Sequence, residues 1–262
     1  MKSLIIIVRG GGDIGSAVSW ALCKANLGKI IIIEKKKPFA IRREVSFASA
    51  IYENVKTVEG ITGKRELIKN IDINDKNHIS VIIDEKGDSL EKFHPHVVID
   101  AILSKRKYRN YNLKNSFIVG LGPEFIPGEN CHVAVETNRG HNLGRAYYDK
   151  PPMKPTGIPS KIAGYSEKRL LRASIDGIIE NRKEIGDFVE KGDVIAVIGN
   201  TKVKAEINGV LRGLIRSGVE VYKNLKIGDI DPRGIKEYCY TISEKSRCIA
   251  GSVVVEMMNR FF

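Results

Sequence analysis

Leu4-Ile5-Ile6-Ile7-Val8-Arg9-Gly10-Gly11-Gly12-Asp13-Ile14-Gly15 is the stretch whose reading decides the fold. The run from Leu4 to Val8 is β-branched and too dense to alternate, the pattern of a strand buried on both faces of a parallel sheet. Gly10 to Gly15 is a Gly-x-Gly-x-x-Gly, and Ser16 to Ala25 follows with Val18, Leu22 and Ala25 at helical spacing. Lys29 to Ile33 reads as a second strand, closed by Glu34.

This order suits a dinucleotide-binding unit. Glycines permit a tight turn and a close phosphate approach, the helix N-terminus presents N–H groups to an anion, and the acid can bond a ribose hydroxyl. Gly10, Gly11, Gly12, Asp13, Ile14, Gly15 and Glu34 are therefore expected to bind a cofactor. The alternative is a turn that is glycine-rich only for close packing. Glu34 favours an unphosphorylated ribose, whereas Lys35-Lys36-Lys37, Arg42 and Arg43 favour an extra phosphate. Arg42 and Arg43 fall in the first turn of an expected helix, Ala40 to Tyr52. Cations there oppose the helix dipole, and a ligand anion would offset the strain, so both join the expected ligand set.

The chain has 262 residues, of which 42% are hydrophobic and 28% charged, a composition suited to a globular protein of two domains. Its formal net charge of +12 suits nucleic acid, an acidic partner or a phosphate-rich small ligand. Zinc-finger spacing, an RNP motif and basic heptads are all missing, which makes nucleic acid the least supported of the three. Cys23, Cys131, Cys239 and Cys248 form no Cys-x-x-Cys pair, as expected of reduced thiols in a cytoplasmic protein. The first apolar run is too short for a signal peptide, and no stretch approaches a membrane span.

Further along, Val55 to Ile61 reads as a strand and Lys64 to Lys69 as a short helix. His78 to Ile83, with a turn at Glu85-Lys86-Gly87-Asp88, suggests a β-hairpin insertion. Val97 to Ala101 and Phe117 to Gly120 have the buried-strand pattern. Asp100, at a strand's carboxyl end, and Lys105 after it are placed to face a ligand. His132 to Glu136 is the next strand, and it leads into the polar, glycine-punctuated loop Thr137 to Arg145. In that loop Arg139 can hold an anion and His141 titrates near neutral pH, which makes them the candidate catalytic pair. Cys131-His132 lacks the spacing of the common zinc motifs, and no metal is expected.

Pro151 to Pro159 carries prolines too densely for helix or central strand, and marks a boundary. Beyond it the sequence repeats: Gly177 recurs as Gly209, Gly186 as Gly218, Val189 as Val221, Lys191 as Lys223 and Ile195 as Ile227, each 32 residues on. The doubled strand–turn–strand pattern resembles the biotinyl and lipoyl carrier fold. Lys202 and Lys204 lie near the connection between copies without the Met-Lys-Met or Asp-Lys-Ala setting of a modified lysine, so no swinging arm is expected. Ala250, Val253, Val254 and Met257 then give a terminal helix, starting near Ser243, that packs back on a domain. The expected architecture is α/β: a Rossmann-like parallel-sheet domain over 1–150, a linker over 151–165, a barrel-sandwich-like domain over 166–234 and a C-terminal helix within 235–262.

Together these motifs resemble the YqeB family, assigned to the selenium-dependent molybdenum hydroxylase system. The resemblance rests on Val8 to Asp13, Pro38 to Arg43, Val58-Glu59-Gly60, Asp100 to Arg106, Gly120-Leu121-Gly122-Pro123, Glu136 to Arg145 and Gly228-Asp229-Ile230-Asp231-Pro232-Arg233. Glu124 departs from the pattern, standing where a glycine is expected. The resemblance implies an accessory or maturation protein that binds a nucleotide, either NAD(P) or a molybdopterin-type dinucleotide, with a molybdenum hydroxylase apoenzyme as partner. The competing function is a stand-alone NAD(P)-dependent oxidoreductase, although no Tyr-x-x-x-Lys pair follows the glycine turn.

Overall fold

Leu4 to Val8 form the buried strand that their density demands: β1 (Leu4–Arg9) is the middle strand of a nine-stranded sheet. The computed structural model describes residues 3–103, 113, 115–155 and 157–262. These divide into two units. The first comprises Met1–Pro38, Ser46–Pro155 and Ile242–Phe262, and the second Phe39–Val45 and Thr156–Thr241.

In the first unit β1 is followed by α1 (Asp13–Lys24), β2 (Gly28–Glu34), the single turn α2 (Ala50–Glu53), β3 (Val55–Val58), β4 (Ile61–Arg65), β5 (Ile79–Ile83), α3 (Asp88–Phe93), β6 (Val97–Asp100), β7 (Phe117–Leu121), β8 (Val133–Val135) and β9 (Ala146–Tyr147). The sheet order is β3-β4-β5-β2-β1-β6-β7-β8-β9. Neighbours from β4 to β8 pair in parallel, and β3 and β9 run antiparallel at the two edges. On one face Ile7, Ile31, Ile33, Ile82 and Val98 pack against Leu90 of α3, and strand alternation sends their neighbours to the other face.

The Rossmann-like parallel sheet expected from the sequence is corrected here to a mixed sheet with few helices. Val55 to Val58 turns back at Glu59 and Gly60, whose φ values of +41° and +81° suit a tight hairpin, so the edge is antiparallel. Between β7 and β8 a loop replaces a crossover helix. Its Phe125 is buried where a Cβ on Gly120 would lie 2.0 Å from the ring, so the missing side chain of Gly120 makes the room.

Two local expectations change as well. The Ala40 to Tyr52 helix is broken into short turns, because Phe47 N–H donates to Ser16 Oγ and Ala48 N–H to Gly11 O, which pull the chain out of helical register. The expected hairpin at Glu85 to Asp88 is instead the start of α3. Asp84 accepts the N–H groups of Gly87, Asp88 and Ser89 and the Ser89 hydroxyl, so its carboxylate caps a helix, while β5 pairs in parallel with both β2 and β4.

The second unit holds β10 (Leu170–Arg172), β11 (Gly177–Asn181), β12 (Phe188–Val189), β13 (Val194–Ile198), β14 (Thr201–Lys204), β15 (Gly209–Leu214), β16 (Glu220–Val221) and β17 (Lys226–Asp231). They form two four-stranded antiparallel sheets, β10-β17-β15-β12 and β14-β13-β11-β16, which share one apolar core. The 32-residue offset relates β11 to β15, β12 to β16 and β13 to β17, and each copy's short strand pairs with the other copy's first strand. The small closed barrel expected from the repeat is thereby corrected. The same offset relates β10 to β14, and these two strands extend one end of each sheet, leaving two open sheets.

The chain closes with α4 (Glu244–Phe261) in the first unit, where it packs along α1 and buries Ile249, Ala250, Val253 and Met257. Its N-cap is Ser243, whose hydroxyl accepts Ser246 N–H. Among the described residues no helix is long and apolar enough to cross a membrane.

Burial pushes the Asp84 carboxyl up, but the bonds from Ser89, Gly87 and Asp88 outweigh it and hold the group below its usual 3.8. A depressed folded-state pKa means stability that is present above the usual aspartate value and is lost as pH falls through the folded one. Asp84→Ala should therefore cost about 1–2 kcal/mol at neutral pH. The gap to the parent should narrow in urea denaturation at about pH 3; a gap of equal size at both pH values would contradict the cap.

Candidate functional site

The carboxyl ends of β1, β2, β6, β7 and β8 all open on one edge of the first unit's sheet, because these strands run in parallel. The glycine turn sits there, and its glycines divide the work. Gly10 takes φ +88°, which lets the chain leave β1. A Cβ on Gly15 would lie 1.9 Å from Gly10 O, so this glycine allows α1 to press against the turn. Gly12, the N-cap of α1, has an extended backbone, and a Cβ there meets nothing within 4 Å among the described residues. It is the glycine past which an anion could approach the helix N-terminus.

Glu34 reaches this turn from the end of β2. Its Oε1 accepts Gly11 N–H at 2.9 Å and its Oε2 accepts Lys35 N–H at 3.0 Å. Burial raises its pKa above the usual glutamate value against the lowering effect of those two bonds. Asp100, fully buried at the end of β6, pairs with Arg9 and accepts Ile102 N–H at 3.1 Å. Asp13 accepts the Ser246 hydroxyl at 3.1 Å, which brings the first turn of α4 beside the first turn of α1.

The loop after β8 docks on α4. Arg139 pairs with Glu244, and a Cβ on Gly144 would lie under 3 Å from both Ser252 Oγ and Cys248 Sγ. The loop is also anchored from below by Glu136, whose carboxylate accepts Asn138 N–H and Met153 N–H at 2.7 and 2.8 Å. His141 is exposed. The sheet edge thus gathers Gly10 to Gly15, Glu34, Asp100 and, through Glu244 and Ser246, Arg139.

Arg42 and Arg43 belong to the second unit. Arg42 donates to the carbonyls of Tyr238 and Thr241 at 2.9 and 2.7 Å, and Arg43 to that of Leu214 at 2.7 Å. Lys105 lies outside the described residues. Cys131 is buried and its thiol is pushed up to about 12, which withholds a thiolate. Sequence reasoning missed Ser16, Glu59, Glu136 and Ser246. Glu59 accepts Ile242 N–H and pairs with Arg247, fastening the start of α4, and only the distant contact gives it that role.

YqeB of Escherichia coli K12, described as uncharacterized, is 38% identical over 256 residues, 97% of this chain. This chain is similar to YqeB through nearly its whole length. It spans about half of that relative, 47% of its length. No family model matches the chain. Among solved structures, an aspartoacylase family protein from Mesorhizobium loti is 12% identical, over 87% of this chain and 85% of its own, with a TM-score of 0.27. TcdA (CsdL) is 14% identical over 98% and 87%, with a TM-score of 0.31. Scores this low do not indicate a shared fold.

The segments on which the YqeB resemblance rests do not all lie at the glycine turn. Val8 to Asp13 and Glu136 to Arg145 are at the sheet edge, whereas Gly228 to Arg233 belongs to the second unit, where Asp231 is buried and paired with Arg233 and Arg212 and Asp229 is paired with Arg169. Burial pushes the Asp231 carboxyl up, but Arg233 and Arg212 bring it below the usual range.

Ser16 is the test of how the turn is built. Its buried hydroxyl donates to Gly11 O and accepts Phe47 N–H, each at 2.8 Å. Ser16→Ala strands that N–H and should lower stability by about 1–3 kcal/mol. An unchanged urea midpoint would show that the bond is dispensable.

Proposed function

We propose that this protein is a nucleotide-binding accessory factor for the maturation of a selenium-dependent molybdenum hydroxylase, with the ligand's phosphate seated at the start of α1. The observation that carries the nucleotide half is the division of roles in the glycine turn. Gly10 and Gly15 are required by the turn itself, while Gly12 is not crowded by any described residue. Packing alone accounts for the first two. Phosphate approach gives the third a use. Glu34, fixed beside the turn, keeps lone pairs for a ribose hydroxyl. A pterin dinucleotide carries phosphates and also gives the net charge of +12 a role.

The hydroxylase half rests on the YqeB-like segments, and Arg139 and His141 are the residues of the sheet edge proposed to act on the ligand or partner. Arg139 holds Glu244 across a pair that is partly open to solvent, so an incoming phosphate can compete for its guanidinium. His141 is exposed, which leaves its ring nitrogens within reach of a ligand or partner.

Gly12→Val should cost about 1 kcal/mol through the helix cap and leave the protein folded. Nucleotide affinity by calorimetry should fall about tenfold or more, with the nucleotide identified beforehand by mass spectrometry of small molecules released from the purified protein. Equal affinity in variant and parent would place the ligand elsewhere.

In the native host, Arg139→Ala or His141→Ala should leave the hydroxylase synthesised but short of activity or cofactor, while the accessory protein keeps its melting temperature. Full hydroxylase activity with both variants would remove the loop from the mechanism. Release of a nicotinamide dinucleotide that the protein itself reduces would favour the oxidoreductase instead.

A further inference from the structure

The outward side of α4 is apolar where a surface helix would be polar. At about 100° per residue, Ile249, Ala250, Val253, Glu256 and Met257 fall on the side that packs into the first unit, and Gly251, Val255, Met258 and Phe262 fall on the side opposite. Val255 is 62% exposed, Met258 45% and Phe262 50%, and Gly251 is exposed as well. Phe262 N–H still donates to Met258 O, so the helical line reaches this residue. No charged residue interrupts the stripe over about three turns, because Glu256 is buried and Arg260 turns away over the Phe117 ring. Toward the helix start the stripe is bounded by Cys248, whose thiol donates to Leu143 O, and by Arg247, which pairs with Glu59. A helix that is apolar on both sides is one covered on both sides, and among the described residues the chain covers only one.

The spacing and the sizes along the stripe select what fits it. Gly251, Val255, Met258 and Phe262 stand four, three and four residues apart, the alternation with which two helices mesh as a left-handed pair. The smallest of the four is at one end, the largest at the other, and two of middle size lie between. Turned end for end, the stripe is therefore complementary to itself. A Cβ on Gly251 would meet no described atom within 4 Å outside the helix's own turns, so a large side chain can be seated there, and Phe262 is one that stands half exposed. Charge selects in the same direction. An acidic partner would gain by covering cations, of which the stripe has none, whereas two copies of a chain of net charge +12 can meet along it without bringing like charges together.

We infer that a second copy of this chain covers the stripe, its α4 running antiparallel about a two-fold axis, with Val255 of each copy against Met258 of the other and Phe262 of each in the space above Gly251 of the other. Such a contact is isologous, so each pairing made on one side of the axis is repeated on the other. A parallel pair would set Gly251 against Gly251 and Phe262 against Phe262, leaving a void at one end and crowding at the other. The interface is small, and the expected dissociation constant is about 10 µM. The pairing starts about two turns into α4 and leaves Glu244 and Ser246 to the sheet edge that holds the glycine turn.

The test is sedimentation equilibrium of the full chain at concentrations on both sides of that value, where the parent should pass from monomer to dimer. Met258→Asp should weaken association about a hundredfold and leave the melting temperature of the monomer unchanged, since the side chain it replaces is exposed. Gly251→Gln separates association from folding. Glutamine forms helix better than glycine, so the melting temperature should hold or rise, while the filled space weakens association about tenfold or more. Orientation is read by oxidising a mixture of two chains in a Cys248→Ser background, one Gly251→Cys and the other Phe262→Cys. Unlike chains should become joined, and either chain alone should stay unjoined, because like positions lie about 16 Å apart along an antiparallel pair. A dimer indifferent to Met258→Asp or to Gly251→Gln, or the joining of like chains, would overturn the assignment. So would a chain that stays monomeric at every concentration, which would leave the stripe to a different protein.

Discussion

The backbone of Gly11 is the junction on which the first unit's sheet edge depends. Its N–H donates to Glu34 at the end of β2, and its carbonyl accepts both Ala48 N–H and the Ser16 hydroxyl. One residue without a side chain thus joins two strands, a helix and the segment after residue 45. A Cβ there would lie 2.9 Å from Ala48 N and 3.0 Å from Ile32 Cγ2, so the three-way contact needs glycine although its φ is ordinary. Each bond nets only about 1 kcal/mol, but a stranded buried partner costs about 1–3 kcal/mol. The turn is therefore held as a unit.

That rigidity decides what the edge can do. α1 and α4 bring their N-termini together, and both concentrate positive potential there. Asp13 and Glu244 stand in the two first turns, where an acid is favourable, and they offset part of that potential. Arg139 in turn neutralises Glu244, so the balance returns toward an anion. Asp100 does not shift it, because Arg9 is already its partner.

What the sequence made legible were features enforced by short-range physics. Dense β-branched runs gave β1, β2, β6 and β7, and the glycine spacing placed α1 and its turn. The 32-residue repeat foretold which strands in the second unit correspond. What was illegible depended on partners far along the chain. Lys35-Lys36-Lys37, Arg42 and Arg43 formed one basic cluster in the sequence, yet Arg42 reaches carbonyls near residue 240 that no local pattern reveals. Glu85 to Asp88 has hairpin composition, and only the capping bonds of Asp84 decide that a helix follows. In the site, the glycines and Glu34 could be read from spacing, whereas Ser16 and Ser246 could not. A serine inside a helix carries no signal of which distant group its hydroxyl will meet.

The second unit shows the same limit in its strand count. Two similar copies, each with an unpaired apolar face, suggest mutual closure, and the shared core fulfils the demand for burial without closing a ring. β12 and β16 are two residues long, too short to seal an edge. β14 therefore stays an edge strand, and Thr201-Lys202-Val203-Lys204 fits that position: Val203 is buried while Lys202 and Lys204 are exposed. Alternating lysines on an edge discourage another chain from adding a strand. This gives both lysines a physical role in the position they occupy, one that follows from the open sheet and asks for no attached group.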